Sequence, residues 1–157
     1  SEVLLGPGQF TDEHGQIRQF QIEDGQYAYP DREHFERGVA ECDRALLVGH
    51  LELVPAHLVD AALARAPAHP WTVVHQSAEK WRAAQDYSRF TNGRVGSKPF
   101  TLPSVWDAAK IVGPDSHFAK YDLRDGFWAV GTHPDSRALL MVLLWDQPAR
   151  SLQHTTT

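Results

Sequence analysis

The chain is poor in the residues that staple or anchor small proteins. It has one cysteine, Cys42, so no internal disulfide can form, and its 9 histidines are scattered without the paired Cys/His spacings that close zinc sites. One cysteine is compatible with a reducing compartment. Positive charge is also in short supply: 15 Lys and Arg stand against 20 Asp and Glu, a formal net charge of −5. Non-specific nucleic-acid affinity comes chiefly from cations that displace counterions at phosphates. A polyanion-coating role is therefore excluded, and any grip on nucleic acid must be local. Residues 1–30 contain no long apolar run, so neither a membrane span nor a secretory signal is expected there. Internal repeats and low-complexity tracts are missing, and no two aspartates are adjacent anywhere in the chain.

What is present suits one folded unit. A chain of 157 residues, 42% of them hydrophobic, can bury most of its apolar surface in a single core. Residues 1–30 carry Gly6, Gly8, Gly15 and Gly25 among Gln and acidic residues and read as a loosely organised leader, with a short hairpin where Ile17 to Ile22 alternate. The folded body is expected over residues 31–145 and a flexible polar tail over 146–157.

Within the body, Phe35, Val39, Cys42 and Leu46 recur at helical spacing from Asp31 onward, and Gly49 is placed to end that helix in a left-handed conformation. Leu51 to Val54 give a brief extended segment. Ala56 to Ala66 is rich enough in Ala and Leu for a second helix, halted by Pro67 and Pro70. Trp71 to His75 and Trp81 to Phe90 flank a polar turn at Ser77 to Lys80, which predicts an antiparallel hairpin. Ser104 with Asp107 three residues later is a capping box for a helix that ends before Gly113-Pro114. His117 to Leu123 predicts a strand, Arg124 to Phe127 a turn, and Ala138 to Trp145 a strongly apolar strand. The order is α+β rather than strictly alternating.

Four segments in this order resemble the reverse transcriptases of long-terminal-repeat and related retroelements. The run Cys42-Asp43-Arg44-Ala45-Leu46-Leu47-Val48-Gly49-His50-Leu51-Glu52-Leu53-Val54-Pro55 is similar to the helix–Gly–strand that opens the fingers of those enzymes. Trp71-Thr72-Val73-Val74-His75 with Lys80-Trp81-Arg82, Asp86-Tyr87-Ser88 and Asn92 is similar to the fingers hairpin. Phe100-Thr101-Leu102-Pro103 looks like the entry to the next helix. Phe118-Ala119-Lys120-Tyr121-Asp122-Leu123-Arg124-Asp125-Gly126-Phe127-Trp128 looks like the palm motif that carries the first catalytic aspartate. The resemblance spans residues 27–142 and implies a partial fingers and palm fold that stops before the strand-turn carrying the Asp-Asp pair.

The resemblance assigns roles to particular residues. Asp122 would be a ligand to the two magnesium ions that nucleotidyl transfer needs, since hard Mg²⁺ prefers carboxylate oxygens. Without the resemblance, an aspartate there reads as a turn former or a helix cap. Phe127 would pack beneath the sugar and exclude a 2′-hydroxyl; the alternative is a core phenylalanine. Arg82 would lie against the incoming nucleotide, where a guanidinium can pair with phosphate and stack on a base, or else is a solvated surface arginine. Lys80 would assist as a point charge. Arg124 and Asp125 follow Asp122 in a turn whose amides can face a triphosphate. Asp86, Tyr87, Ser88 and Asn92 would brace the fingers, and His133 belongs to a turn.

One carboxylate is too few for two dications, so no polymerase activity is expected from this polypeptide alone. Three functions remain open. The chain is part of an RNA-directed DNA polymerase completed by another chain or a longer product. It is a reused, non-catalytic subunit of a larger protein or ribonucleoprotein assembly, with other protein subunits as partners. Or it is a small nucleic-acid-binding module that uses Arg82, Arg89, Arg94 and Lys98, with Trp81 and Tyr87 as stacking surfaces.

Overall fold

A computed structural model describes residues 4–96, 98–146 and 151–156, with residues 145–146 and 151–156 described by backbone alone. Asp31 starts the principal helix, α1 (Arg32–Leu47), by accepting a hydrogen bond from the His34 amide at 2.8 Å. This supplies one of the first-turn donors with a partner that the helix itself cannot provide. The helix ends as its sequence predicts: Gly49 adopts φ +79°, where a Cβ would be strained. The stretch expected to form the second helix is split. Ala56–Leu58 makes a 3₁₀ turn and α2 follows over Val59–Arg65.

Two sheets form. The small one pairs β1 (Gln9–Thr11) with β2 (Ile17–Gln19), antiparallel. The larger sheet has the order β4 (Lys80–Gln85), β3 (His69–Ser77), β5 (Val142–Asp146), β6 (Ser151–Thr156). β3 and β4 are the expected hairpin, and the ladder runs from Trp71 opposite Gln85 to Ser77 opposite Lys80. β3 and β5 are parallel, with His69 opposite Val142, and β6 runs antiparallel to β5. The architecture is mixed α and β. Among the described residues no helix is long and apolar enough to cross a membrane.

The chain divides into two units, Ser1–Val95 with Thr132–Thr157, and Gly96–Gly131. In the first, α1 lies against β3 and β4. Tyr29, Phe35, Cys42, Ala45, Leu51, Trp71 and Val73 are buried there. Burial pushes the Cys42 thiol up to about 11, so it behaves as a small apolar side chain rather than a nucleophile. A second cluster joins Phe10, Phe20, Ala66, Ala68, Phe90, Met141 and Leu143. Phe10, Phe20 and Phe90 meet edge to face, with centroids 4.9 to 6.5 Å apart, an arrangement that adds about 0.5–1.5 kcal/mol per pair beyond area burial.

That cluster corrects the leader expectation. Residues 1–30 contribute Phe10, Phe20 and Tyr29 to the core, because aromatic side chains spaced along a glycine-rich stretch can each reach the interior while the backbone turns between them. In the polar tail, Ser151–Thr156 pairs with β5, while residues 147–150 and 157 lie outside the described residues.

In the second unit, α3 (Val105–Ile111) has the full capping box. Ser104 Oγ accepts from the Asp107 amide, and the Asp107 carboxylate accepts from the Ser104 amide at 2.9 Å. The strand expected at His117 to Leu123 does not form; the backbone there is irregular. Apolar content alone does not make a strand, which needs a neighbour for its backbone groups. The strand expected over Ala138 to Trp145 is shortened for a different reason. Pro134 and the His133 side chain, which accepts from the Asp135 amide at 3.3 Å, start a 3₁₀ turn over Pro134–Leu140, and extension begins only at Val142.

Candidate nucleotide-binding site

Side chains of a strand alternate between its faces, and this decides which hairpin residues can meet a ligand. Trp71, Val73 and His75 lie opposite Gln85, Ala83 and Trp81, on the face that α1 covers. Thr72 and Val74 lie opposite Ala84 and Arg82, on the other face. Lys80 shares that second face with Arg82, two residues along β4. Val74 is 50% exposed, and Lys80 and Arg82 are exposed, their side chains without an ion pair or hydrogen bond among the described residues. Two cations therefore stand on an open sheet face with a threonine and a valine beside them.

Trp81, the residue between them, is turned the other way. Its indole stacks on His75 with centroids 4.4 Å apart and planes 13° from parallel, meets the His34 ring at 4.8 Å, and has the Arg37 guanidinium 5.6 Å from its centre. It fastens the hairpin to α1 rather than offering a bare stacking surface. Tyr87 is also withdrawn: its hydroxyl donates to Gln85 Oε1 at 3.0 Å, its ring lies 4.6 Å from that of His69, and burial pushes its pKa up to about 12. The expected use of Trp81 and Tyr87 as stacking surfaces is corrected accordingly. Arg89 is partly engaged as well, donating to the Asp24 carbonyl at 3.1 Å.

Asp86, Ser88 and Asn92 are tied down by local hydrogen bonds. The Asp86 amide donates to Pro70 O at 3.3 Å, and the hydroxyl and amide of Ser88 hold the Asp86 carboxyl below the usual carboxylate range. The Asn92 amide donates to Tyr87 O at 3.0 Å.

Asp122, Arg124, Asp125 and Phe127 all belong to the Gly96–Gly131 unit. Asp122 sits in irregular backbone rather than at a strand end. Residues 124–129 form the expected turn: the Trp128 amide donates to Asp125 O at 2.8 Å, and Asp125 adopts φ 51°, a left-handed conformation that aspartate tolerates better than most residues. Phe127 is 98% exposed, which removes the core reading for that ring. The unit exposes further large apolar groups, among them Phe100, Trp106, Phe118 and Tyr121.

The chain matches no protein-family profile, no curated protein and no solved structure. Two carboxylates three residues apart, Asp122 and Asp125, fall short of the oxygen set that a pair of magnesium ions requires. Among the described residues no group of three or more His, Cys, Asp or Glu is placed to hold a metal ion. The described residues do not fit a two-metal centre by themselves.

One constellation left no signal in the sequence pattern. His69 is fully enclosed, with Nδ1 2.9 Å from Met141 O and Nε2 2.8 Å from Thr91 Oγ1. Burial pushes its pKa down, opposed by the bond to Met141 and by Asp86 and reinforced by Arg94. A single histidine before a proline carries no spacing by which its partners, 22 and 72 residues away, could be found.

Proposed function

We propose that this chain is a reverse-transcriptase-like fingers and first-palm segment, in which Arg82 and Lys80 meet the phosphates of a nucleotide or of a primer-template backbone, and which does not polymerise by itself. The observation that carries this reading is the pleat of the β3–β4 hairpin, which turns Trp81 into the α1 contact and leaves Arg82 and Lys80 together on the open face. A guanidinium offers a planar fork of donors suited to phosphate, and an ammonium two residues away adds a second charge. The four-segment resemblance and the turn that follows Asp122 agree with it. Asp122 would be a single ligand in a metal site whose remaining carboxylates come from elsewhere.

The test is binding of a magnesium–deoxynucleoside triphosphate at low ionic strength, together with incorporation on a primed RNA template. Binding that weakens about tenfold or more in Arg82→Ala is expected, as for loss of a charge-assisted hydrogen bond. No incorporation is expected from the wild-type chain. Incorporation that is lost in Asp122→Asn would overturn the proposed inactivity, and absence of binding even at low salt would overturn the role of Arg82.

A second reading, a non-catalytic subunit of a larger assembly, is favoured by the apolar side chains exposed in the Gly96–Gly131 unit. Phe127 at 98% and Tyr121 at 90% are more exposed than is usual for such side chains in a finished surface. The mass of the native particle decides it: a soluble monomer counts against this reading and a defined hetero-complex supports it.

A further inference from the structure

The enclosed histidine offers a device that does not depend on the proposed function. Met141 O accepts the His69 backbone amide at 2.8 Å and also lies 2.9 Å from His69 Nδ1. A carbonyl oxygen has no hydrogen to give, so Nδ1 carries one. In the neutral ring Nε2 then holds a lone pair, and the hydrogen that can fill it is that of the Thr91 hydroxyl, 2.8 Å away. Thr91 Oγ1 is also 3.2 Å from Leu139 O. A hydroxyl has one hydrogen and cannot serve both acceptors.

Adding a proton at Nε2 reverses the chain. The Nε2–H now donates to Thr91 Oγ1, and the hydroxyl hydrogen swings to Leu139 O. Both ring hydrogens and the hydroxyl hydrogen then have acceptors, and no heavy atom has to move. The same frame thus holds either charge state, and the two states differ in whether the Thr91 hydroxyl hydrogen is given to the ring or to the turn that precedes β5.

We propose that His69, Thr91 and the Leu139 and Met141 carbonyls form a proton-operated latch, in which protonation of His69 transfers the Thr91 hydroxyl bond to Leu139 and fastens the Pro134–Leu140 turn to the loop after β4. The groups that face the ring set the direction of the proton equilibrium. Asp86, at the end of the hairpin, favours the charged ring; Arg94, in the loop after it, opposes it. Tyr87 presents its ring at 4.6 Å and gives its hydroxyl hydrogen to Gln85 Oε1, with Leu140 O 3.4 Å from the same oxygen. Phe90 closes another side with its centroid at 5.7 Å. Burial keeps the ring neutral at neutral pH, so the latch closes on acidification.

The experiment is a nitrogen–proton NMR titration of the imidazoles in the full chain from pH 8 downward, with amide dispersion followed in the same samples to report folding. At pH 8 His69 should show the Nδ1–H tautomer, and on acidification it should gain the Nε2 proton while the amide spectrum stays dispersed. Thr91→Val keeps the shape and removes the hydroxyl; it should lower the pH at which His69 takes its proton by about one unit, the size expected for losing a hydrogen bond to a charged group. Thr91→Ser should titrate as the wild type does. An Nε2–H tautomer at pH 8, protonation that occurs only as the chain unfolds, or a Thr91→Val chain that titrates like the wild type would each overturn the latch. The wild-type tautomer and the Thr91→Ser titration decide the matter even if Thr91→Val does not fold.

Discussion

The indole Nε1 of Trp71 donates to the main-chain carbonyl of Gly38 in the middle of α1, at 3.0 Å. The same glycine lies under the Tyr29 ring: a Cβ there would stand 2.8 Å from Tyr29 Oη and 3.1 Å from Tyr29 Cε1. Tyr29 in turn donates its hydroxyl to the Trp71 carbonyl. Helix, strand and leader therefore meet at one glycine.

Gly38→Ala would normally stabilise a helix interior by about 1 kcal/mol. Here the added methyl enters the Tyr29 ring, and overpacking of this kind costs about 1–3 kcal/mol. A net loss is expected, read as a lower midpoint in urea unfolding. A gain in stability would show that Tyr29 moves aside freely.

Phe20 tests whether residues 1–30 belong to the core. It is 4% exposed and meets Phe10 and Phe90 edge to face. Phe20→Ala should cost about 3–5 kcal/mol, the range for deleting a buried aromatic. A loosely attached leader would give a change within about 0.5 kcal/mol, as exposed substitutions do. Equilibrium unfolding distinguishes the two.

Arg82→Ala should leave stability unchanged within about 0.5 kcal/mol, because the side chain is exposed and makes no bond among the described residues. Any loss of phosphate affinity in that variant is then a loss of contact rather than of fold. Trp81→Ala is the contrasting case, since it removes the stack on His75 and the contact with α1. It should lower the unfolding midpoint measurably.

Acid should weaken the fold through His69. Burial holds its folded pKa below the ordinary value of 6.5, so the unfolded chain binds the proton more readily. The contribution is fully present above about pH 6.5 and is lost as pH falls from there through the lower folded value. Urea unfolding between pH 8 and 5 should show this slope, and His69→Gln should flatten it. An unchanged slope in the variant would assign the acid sensitivity to other groups.

Local chemistry made several elements legible in the sequence. Asp31 and Gly49 bound α1, Ser104 and Asp107 start α3, and the alternation around Ser77 to Lys80 makes the hairpin; each depends on residues within a few positions of one another. Residues 117–123 misled because their composition suits a strand whose neighbours the chain does not supply among the described residues. Phe10, Phe20 and Tyr29 misled in the opposite direction, since glycines and polar neighbours hid the fact that single aromatics reach the core.

Composition, charge and spacing by themselves determined that the chain has no internal disulfide, that its few cations argue against coating a polyanion, and that α1, α3 and the β3–β4 hairpin form where they do. Only the tertiary structure decided which hairpin face is open, and with it that Arg82 and Lys80 point away from α1 while Trp81 points toward it. Only the tertiary structure brought His69 to Thr91 and Met141. Caps and turns are written in neighbouring residues, whereas the faces of a sheet and the partners of a buried ring depend on what packs against them from 22 or 72 positions away.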